Sequence, residues 1–146
     1  MQKSNVHLYE EFGENFVDHL DGMFACAIWD LKKKKLIIAR DRLGVKPMYF
    51  WFRDEHLIFA SEIKSILQYE EVKRELNYSG LCQFVTYAYT IDGQTLLKNV
   101  NELLPGHKLI YDISEKTLKI EKYWNLTLTN NTFSDTENFI QVKKLL

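Results

Sequence analysis

The sequence predicts an α+β fold in which antiparallel sheets pack against helices. Strand-like runs follow one another between residues 23 and 60, and the turns between them are short. Short turns join antiparallel neighbours, because a parallel crossover needs about a dozen residues or more. Apolar residues with helical spacing flank this region on both sides. Aromatic residues make up 14% of the chain, which suits a core built on pleated sheets.

The N-terminal part predicts two helices followed by strands. The apolar residues between 6 and 20 recur with a helical rhythm, and Gly13 divides them into a helix that ends near Phe12 and a short one at 14–20. The first strand is apolar throughout, which is typical of a strand that is covered on both faces. The predicted strands, in chain order, are 23–29, 36–39, 48–52 and 57–60, followed much later by a hairpin of 107–112 and 117–123.

Helical spacing returns between the fourth strand and the hairpin. Residues 61–67 form the first helical segment, with Ser61 as its expected N-cap and Glu62 favourably placed in its first turn. A second helix is predicted at 78–87. Its inner, apolar face is expected to consist of Leu81, Phe84 and Val85.

The composition changes near the end of the hairpin, which indicates a domain boundary. Residues 1–124 are expected to form one domain, and residues 125–134, rich in Asn and Thr, a linker. Ser134 and Glu137 have the spacing of a capping box that opens an amphipathic helix. We expect residues 135–146 to be the start of a second domain that is truncated.

Charge and composition exclude several classes of function. The chain has 19 basic and 20 acidic residues, so a net charge of -1 gives no electrostatic case for binding a nucleic acid or an anionic membrane. No apolar run is long enough to span a membrane. The dense cationic run at 32–35 is expected to be a solvated hairpin tip. We therefore expect a cytoplasmic protein with no nucleic-acid and no membrane partner.

The cysteines and histidines do not indicate a metal site. Cys26 and Cys82 are not a CxxC pair, and the four histidines are scattered without ligand spacing. Both cysteines are expected to be buried, unpaired and reduced. No metal and no cofactor is predicted to bind this chain.

The most informative segment is a run of charges and turn residues at 39–49, ARDRLGVKPMY. Its notable side chains are Arg40, Asp41 and Arg42 at the end of a predicted strand, and Gly44, Lys46 and Pro47 in the turn. One interpretation is a solvated turn with a surface ion pair, which contributes at most about 1 kcal/mol. The other is a charged cluster buried at a domain junction, in which both arginines bind carboxylates bidentately.

Several segments, taken in order, carry a family resemblance. Residues 21–30 (DGMFACAIWD) are similar to an (N/D)GMFAFAIWD strand, residues 39–49 to ARDRLGIKPLYY, and residues 59–64 (FASEIK) to FASEIK. All three motifs are those of class II glutamine amidotransferases. The stretches 95–100 and 104–107 together resemble the T…I..LPPGH motif of the asparagine synthetase branch, and residues 123–124 match the YW that ends its domain. The sequence is therefore identified as a member of that branch.

The resemblance implies a fold and a reaction. The family fold is an N-terminal-nucleophile hydrolase sandwich with α/β/β/α layers, of which this chain would be a partial, C-terminal portion. In the family a cysteine at the mature N-terminus attacks the glutamine amide, and the released ammonia passes through a tunnel to a second domain that binds ATP and Mg. The implied overall reaction converts ATP, aspartate and glutamine into asparagine, glutamate, AMP and diphosphate.

The resemblance also assigns roles to residues of this chain. Met23 and Val45 fall where the family lines its ammonia tunnel, and the alternative for both is ordinary core packing. The remaining motif residues are expected to be structural: Arg40, Asp41, Arg42, Gly44, Lys46, Pro47, Ser61 and Glu62.

The sequence departs from the family at its start. Met1 and Gln2 stand where a catalytic chain begins Met-Cys-Gly, and neither the glutamine-binding segments nor the SGGLDS loop for ATP is found. No catalytic or substrate-binding residue is therefore predicted, and the chain alone is expected to be inactive. We expect a fragment of an asparagine synthetase, whose missing halves lie in the same or a neighbouring chain. The alternative is a degenerate, non-catalytic interaction module.

Overall fold

The computed structural model describes residues 5–127 and 134–145 and confirms the predicted α+β class. In this part of the chain the elements are α1 (Asn5–Phe12), a 3-10 helix (Gly13–His19), β1 (Ala25–Asp30), β2 (Lys35–Arg40), β3 (Tyr49–Arg53), β4 (His56–Ala60), α2 (Ile63–Ile66), α3 (Tyr78–Tyr87), β5 (Val100–Glu102), β6 (His107–Asp112), β7 (Thr117–Lys122) and α4 (Asp135–Leu145).

The strands form two antiparallel sheets. The first sheet has the order β1-β2-β6-β7, and the second has the order β4-β3-β5. α1 and the 3-10 helix cover the outer face of the first sheet, and α2 covers the outer face of the second. The layer order helix, sheet, sheet, helix is consistent with the partial α/β/β/α sandwich that the resemblance implies.

Alternation along the strands assigns their side chains to these layers. In β2, Ile37 faces the helices with Phe16, while Ile38 faces the second sheet and packs with Phe50. In β3, Phe50 faces the first sheet and Trp51 faces α2. Because successive side chains of a strand point to opposite faces, two sheets create three apolar layers. Ile37 and Ile38 are both almost fully buried for this reason.

The predicted break at Gly13 is present, and Gly13 has a φ of +59°. The chain turns there from α1 into a 3-10 helix, whose Phe16 and Val17 are fully buried. The short helix predicted at 14–20 therefore exists, although its hydrogen bonding is of the 3-10 kind.

Two expectations for the helices are wrong. The N-cap position of α2 is Glu62 rather than Ser61, and the Glu62 side chain makes no capping hydrogen bond. α3 has the predicted span, but Phe84 and Val85, expected on its inner face, are 45% and 77% exposed. The helix is held at its first turn instead, where Gly80 packs directly on the backbone carbonyl of Thr95.

The expected burial of β1 and of the cysteines is also only partly correct. Within the described part of the chain β1 pairs with β2 alone, and Trp29 is 44% exposed, so the strand is not covered on both faces. Cys26 in β1 is half-buried, whereas Cys82 on α3 is exposed. β1 is an edge strand because no other described segment lies beside it.

The predicted capping box before α4 is confirmed. The Ser134 N–H and hydroxyl donate to Glu137 Oε2 at 2.9 and 2.8 Å, and the Glu137 N–H is 3.4 Å from Ser134 Oγ.

Residues 128–133 of the predicted linker, and Leu146, lie outside the described residues. The division into domains stays a prediction. No helix in the described ranges is long and apolar enough to cross a membrane.

The contact between Gly80 and Thr95 predicts an unusual mutational effect. Replacing glycine by alanine inside a helix normally stabilises it by about 0.5–1 kcal/mol. At Gly80 a Cβ atom would overlap the Thr95 carbonyl oxygen. We expect Gly80→Ala to lower the free energy of unfolding by about 1–3 kcal/mol in urea denaturation. Ser79→Ala, one residue earlier at an exposed position, is the control and should stay within about 0.5 kcal/mol; a stabilised Gly80→Ala would contradict the contact.

Candidate functional site

The charged segment of the sequence forms a turn that ties several parts of the fold together. β2 ends at Arg40, and the next residue, Asp41, donates its N–H to the Phe24 carbonyl at 2.8 Å. The Asp41 carbonyl accepts from the N–H groups of Gly106 at 2.9 Å and Gly44 at 3.1 Å. The turn is thus bonded to the start of β1 and to the loop before β6.

Arg40 is buried, with 6% of its surface exposed. Its Nε donates to the Lys46 carbonyl at 2.8 Å, and its Nη2 donates to the Gly44 carbonyl at 2.8 Å. Its Nη1 donates to Glu102 Oε1 at 2.6 Å and to the Leu103 carbonyl at 2.7 Å. Since Arg40 belongs to the first sheet and Glu102 to the second, this guanidinium bridges the two sheets.

Asp41 is buried as well, with 1% of its surface exposed. Its Oδ1 accepts from the N–H groups of Leu43 at 3.2 Å and Val45 at 2.9 Å, and its Oδ2 accepts from the Lys46 N–H at 3.0 Å. Burial by itself raises the pKa of this carboxyl, but the N–H donors of Lys46, Val45 and Leu43 outweigh it. The pKa of Asp41 is therefore held below its ordinary value.

Arg42 differs from its two neighbours. Its Nη1 lies 2.9 Å from Asp21 Oδ1, and 35% of the Arg42 side chain and 89% of the Asp21 side chain are exposed. Such a pair contributes at most about 1 kcal/mol. Arg40 and Asp41 are therefore buried, as the hypothesis of a buried charged cluster predicts. Arg42 instead forms the surface ion pair that the hypothesis of a solvated turn predicts. The expectation of bidentate pairing is wrong, because each arginine contacts its carboxylate through a single nitrogen.

Gly44 and Pro47 complete the turn. Gly44 has a φ of +68°, and a Cβ atom there would lie 2.6 Å from Pro105 Cγ and 3.2 Å from the guanidinium carbon of Arg40. Glycine is therefore required both by the backbone angle and by the close approach of the 104–107 loop. Pro47 is exposed and leads the chain towards β3.

The end of the hairpin, residues 123–124, closes over the same turn. Tyr123 donates its hydroxyl to the Arg40 carbonyl at 2.6 Å, and burial raises the pKa of Tyr123 to about 12. The Gly106 carbonyl accepts from the N–H groups of Tyr123 and Trp124. The segments at 21–24, 39–49, 104–107 and 123–124, far apart in sequence, therefore meet around Arg40 and Asp41.

Comparison with known proteins places this arrangement in a family. Residues 4–124, most of the chain, match the glutamine amidotransferase domain family. The chain belongs to this family.

Individual relatives include synthetases and an amidase. Asparagine synthetase [glutamine-hydrolyzing] 3 of Bacillus subtilis (strain 168) is 37% identical over 96% of this chain and 23% of its own length. A putative asparagine synthetase [glutamine-hydrolyzing] 2 of Methanocaldococcus jannaschii is 30% identical over 97% of this chain and 28% of its own length. Amidase chyE of Penicillium rubens is 34% identical over 97% and 21%. The chain thus spans about a quarter of the length of these curated relatives.

Met23 and Val45 of this glutamine amidotransferase domain lie on its surface. Their exposed fractions are 65% and 51%, so neither packs into a core formed by the described residues. Met23 precedes the Phe24 carbonyl that accepts from Asp41, and the Val45 N–H itself donates to Asp41. Both side chains are therefore next to, or on, a backbone group that is hydrogen-bonded to Asp41. Their part in an ammonia tunnel stays a prediction.

Ser61 and Glu62 are not part of this turn. Both are exposed, and Glu62 pairs with Lys64 on α2. Neither contributes a hydrogen bond to Arg40 or Asp41 in the described part of the amidotransferase domain. The FASEIK motif, to which both residues belong, lies where β4 leads into α2. This helix packs Ile63 and Ile66 on the second sheet.

The two cysteines of the amidotransferase domain lie in different environments. Cys26 lies within β1, where burial raises the pKa of its thiol to about 11, so the thiol stays protonated at neutral pH. Cys82 is exposed on α3, with its carbonyl accepting from the Thr86 hydroxyl at 2.8 Å. Among residues 5–127 and 134–145, no three His, Cys, Asp or Glu side chains are grouped as metal ligands would be.

Three groups that hydrogen-bond to Arg40 were not predicted from the sequence: the Glu102 carboxylate, the Leu103 carbonyl and the Tyr123 hydroxyl. Tyr123 carries a signal, since it belongs to the matched YW pair. Glu102 and Leu103 carry none, because an acidic residue followed by a leucine is typical of many surface strands.

The buried carboxylate predicts a large effect of Asp41→Asn. The amide oxygen can keep the bonds at Oδ1, but its NH₂ group would face the Lys46 N–H and leave a buried donor unsatisfied. We expect the free energy of unfolding to fall by about 2–3 kcal/mol in urea denaturation. Asp21→Asn, at the exposed ion pair with Arg42, is the matched control and should cost at most about 1 kcal/mol. Equal losses for the two variants would contradict the burial of Asp41.

The direction of the Asp41 pKa gives this prediction a pH dependence. A carboxyl whose pKa is lower in the folded state stabilises the fold above its unfolded pKa of about 3.9, and the stabilisation is lost as the pH falls through the folded pKa. The difference in unfolding free energy between wild type and Asp41→Asn should therefore be constant near neutral pH and shrink below about pH 4.

Proposed function

We propose that this chain is part of the glutaminase domain of a glutamine-dependent asparagine synthetase. The observation that carries the proposal is the convergence of the matched motifs on the Arg40–Asp41 turn, which accounts for the residues shared with that branch. The Bacillus relative, named as a glutamine-hydrolysing asparagine synthetase, supports it. The whole protein would convert ATP, aspartate and glutamine into asparagine, glutamate, AMP and diphosphate.

Within that protein, these 146 residues supply framework rather than chemistry. The Arg40 and Asp41 side chains are engaged in internal hydrogen bonds, and the Cys26 thiol is protonated within a strand. The nucleophilic cysteine, the glutamine-binding groups and the site for ATP and Mg would lie in other parts of the full-length synthetase. The chain spans 23% of the length of its Bacillus relative, which leaves most of that protein to carry the catalytic and nucleotide-binding groups.

The apolar side chains of Met23 and Val45 would form part of the wall along which ammonia travels. A hydrocarbon wall suits this task because it keeps ammonia neutral and offers it no hydrogen bond. Anchoring by Asp41 would keep both side chains in place while the rest of the wall comes from outside these residues. Glutamine and aspartate are the proposed substrates of the parent, and the cytoplasm is its proposed location.

The first test uses the purified chain. We expect no release of glutamate from glutamine above the buffer control, because the chain presents no activated nucleophile. The Cys26→Ala and Cys82→Ala variants should be indistinguishable from the wild type in a coupled glutamate assay. Glutamate release that disappears in Cys26→Ala would overturn the assignment of a framework role.

A chimera then tests the function itself. Residues 5–124 of this chain would replace the matching segment of the Bacillus subtilis synthetase, with which the chain is 37% identical. We expect glutamine-dependent asparagine formation to persist, since the replaced segment contributes framework and part of the tunnel wall but no catalytic group. A chimera that folds, shown by a cooperative melt, and forms no asparagine from either glutamine or ammonia would favour the alternative of a non-catalytic interaction module.

The tunnel assignment is tested in the same chimera. Met23→Lys and Val45→Lys introduce charge on the proposed wall, and we expect glutamine-dependent synthesis to fall about tenfold or more while synthesis from added ammonia is retained. Val85→Lys is the control, because Val85 is also an exposed apolar residue, at 77%, but lies on α3. Equal loss with both nitrogen sources, or no loss with either, would remove Met23 and Val45 from the tunnel.

A further inference from the structure

A cleft of about 340 Å³ opens between the two sheets, at the side of the sandwich opposite β1. The first sheet ends there with the six-residue β7, whereas the second ends with the three-residue β5. Leu118 of β7 packs in the layer between the sheets, and Ile120, two residues further on, points to the same face. Because β5 is too short to cover it, Ile120 stays 44% exposed. The cleft thus results from the unequal lengths of the two strands.

The turn at 90–94 forms one wall of the cleft and is fixed by hydrogen bonds. The Gly93 carbonyl accepts from the Glu102 N–H at 2.7 Å, and the Thr90 hydroxyl donates to the Gln94 carbonyl at 2.8 Å. Gly93 has a φ of +71°, and a Cβ atom there would lie 2.7 Å from the Glu102 carbonyl oxygen. The wall is therefore packed directly on β5, and the cleft is preformed.

The floor of the cleft is apolar. It consists of Phe50, Leu103, Leu104 and Ile120. Phe50 and Leu103 are 7% and 1% exposed, so the packing between the sheets holds them in place. Sites for small molecules are typically preformed clefts of about 300–1,000 Å³, with a mostly apolar lining and a few polar groups. The volume and the lining of this cleft both agree with that description.

The charged residues that line the cleft, Asp92 and Glu102, are both acidic. Asp92 is exposed and forms no ion pair within residues 5–127 and 134–145. Glu102 Oε1 accepts from Arg40 at 2.6 Å, and its Oε2 accepts no hydrogen bond from the described part of the chain. Arg40 therefore offsets only one of the two negative charges. The oxygens that remain can accept from the N–H donors of a cation.

We propose that this cleft binds a small hydrophobic amine. Its ammonium group donates to the carboxylates of Asp92 and Glu102, and its hydrocarbon body lies on Phe50 and Ile120. Burial of the body is favoured by the hydrophobic effect, and hydrogen bonds between ionised groups are stronger than those between neutral ones. An anion of the same shape would be repelled by the carboxylates. The proposal does not rest on the asparagine synthetase assignment, since its tests measure binding and no reaction.

Three probes of one shape and different charge test the ligand class. Phenethylamine, which is protonated at neutral pH, is titrated into the 146-residue chain by isothermal titration calorimetry, beside the neutral phenethyl alcohol and the anionic hydrocinnamate. We expect saturable binding of the amine, with a dissociation constant at least about fivefold lower than that of the alcohol, and no binding of hydrocinnamate. Absence of amine binding, or binding of the alcohol as tight as that of the amine, would overturn the proposal.

A substitution on the floor tests where the amine binds. Ile120→Lys places an ammonium group of the chain itself beside the two carboxylates, and we expect it to abolish binding of phenethylamine. Ile113→Lys is the matched control, because Ile113 is also 44% exposed but does not line the cleft. This control should bind as the wild type does. Equal effects of the two variants would place the site elsewhere and reject the proposal.

An isosteric substitution tests the charge without filling the cleft. Asp92→Asn keeps the shape of the side chain, and asparagine tolerates the positive φ of +55° at this position. We expect the dissociation constant for phenethylamine to rise about fivefold. Glu115→Gln, at an exposed carboxylate outside the cleft, should leave it unchanged. An unchanged affinity in Asp92→Asn, with a cooperative melt showing that the variant is folded, would refute the role of this carboxylate.

Discussion

The guanidinium of Arg40 joins the first sheet, the following turn and the second sheet, and the sandwich depends on its hydrogen bonds. Removing such a charge from water costs several kcal/mol unless its donors find acceptors. Arg40 finds a carboxylate at Glu102 and carbonyls at Gly44, Lys46 and Leu103. Because these acceptors come from both sides of the sandwich, the separation of the sheets is set by one side chain in addition to apolar packing.

The Asp41 carboxylate determines the shape of the turn, because it accepts hydrogen bonds from backbone N–H groups that in a helix or a sheet would donate to backbone carbonyls. It accepts from Leu43, Val45 and Lys46, whose N–H groups all converge on it. A backbone that wraps around a buried carboxylate directs its side chains outward, and Leu43 and Val45 are accordingly 76% and 51% exposed. The exposed apolar residues of this turn are therefore a consequence of its buried charge.

The sequence was sufficient to predict what depends on local pattern. The span of α3 could be predicted, and it is fixed by a cap at Asn77 and a left-handed residue at Ala88. Its packing could not, because the contact is made by Gly80 on a backbone carbonyl and leaves no apolar side chain as a signal. The different burial of Arg40 and Arg42 was equally hidden, since the acceptor Glu102 stands 62 residues from Arg40 in the sequence.

The density of matched residues around Arg40 and Asp41 indicates a structural constraint rather than a reactive centre. A catalytic group needs a lone pair, a proton or a thiolate that the fold leaves available. Here the Asp41 oxygens accept from the backbone, and the Arg40 donors are taken by backbone carbonyls and Glu102. The Cys26 thiol, on the helix side of β1, is kept protonated by burial. To the outside the turn presents the apolar side chains of Leu43 and Val45 beside the cationic side chains of Arg42 and Lys46. The apolar part of this surface can bind a neutral partner by burying hydrocarbon.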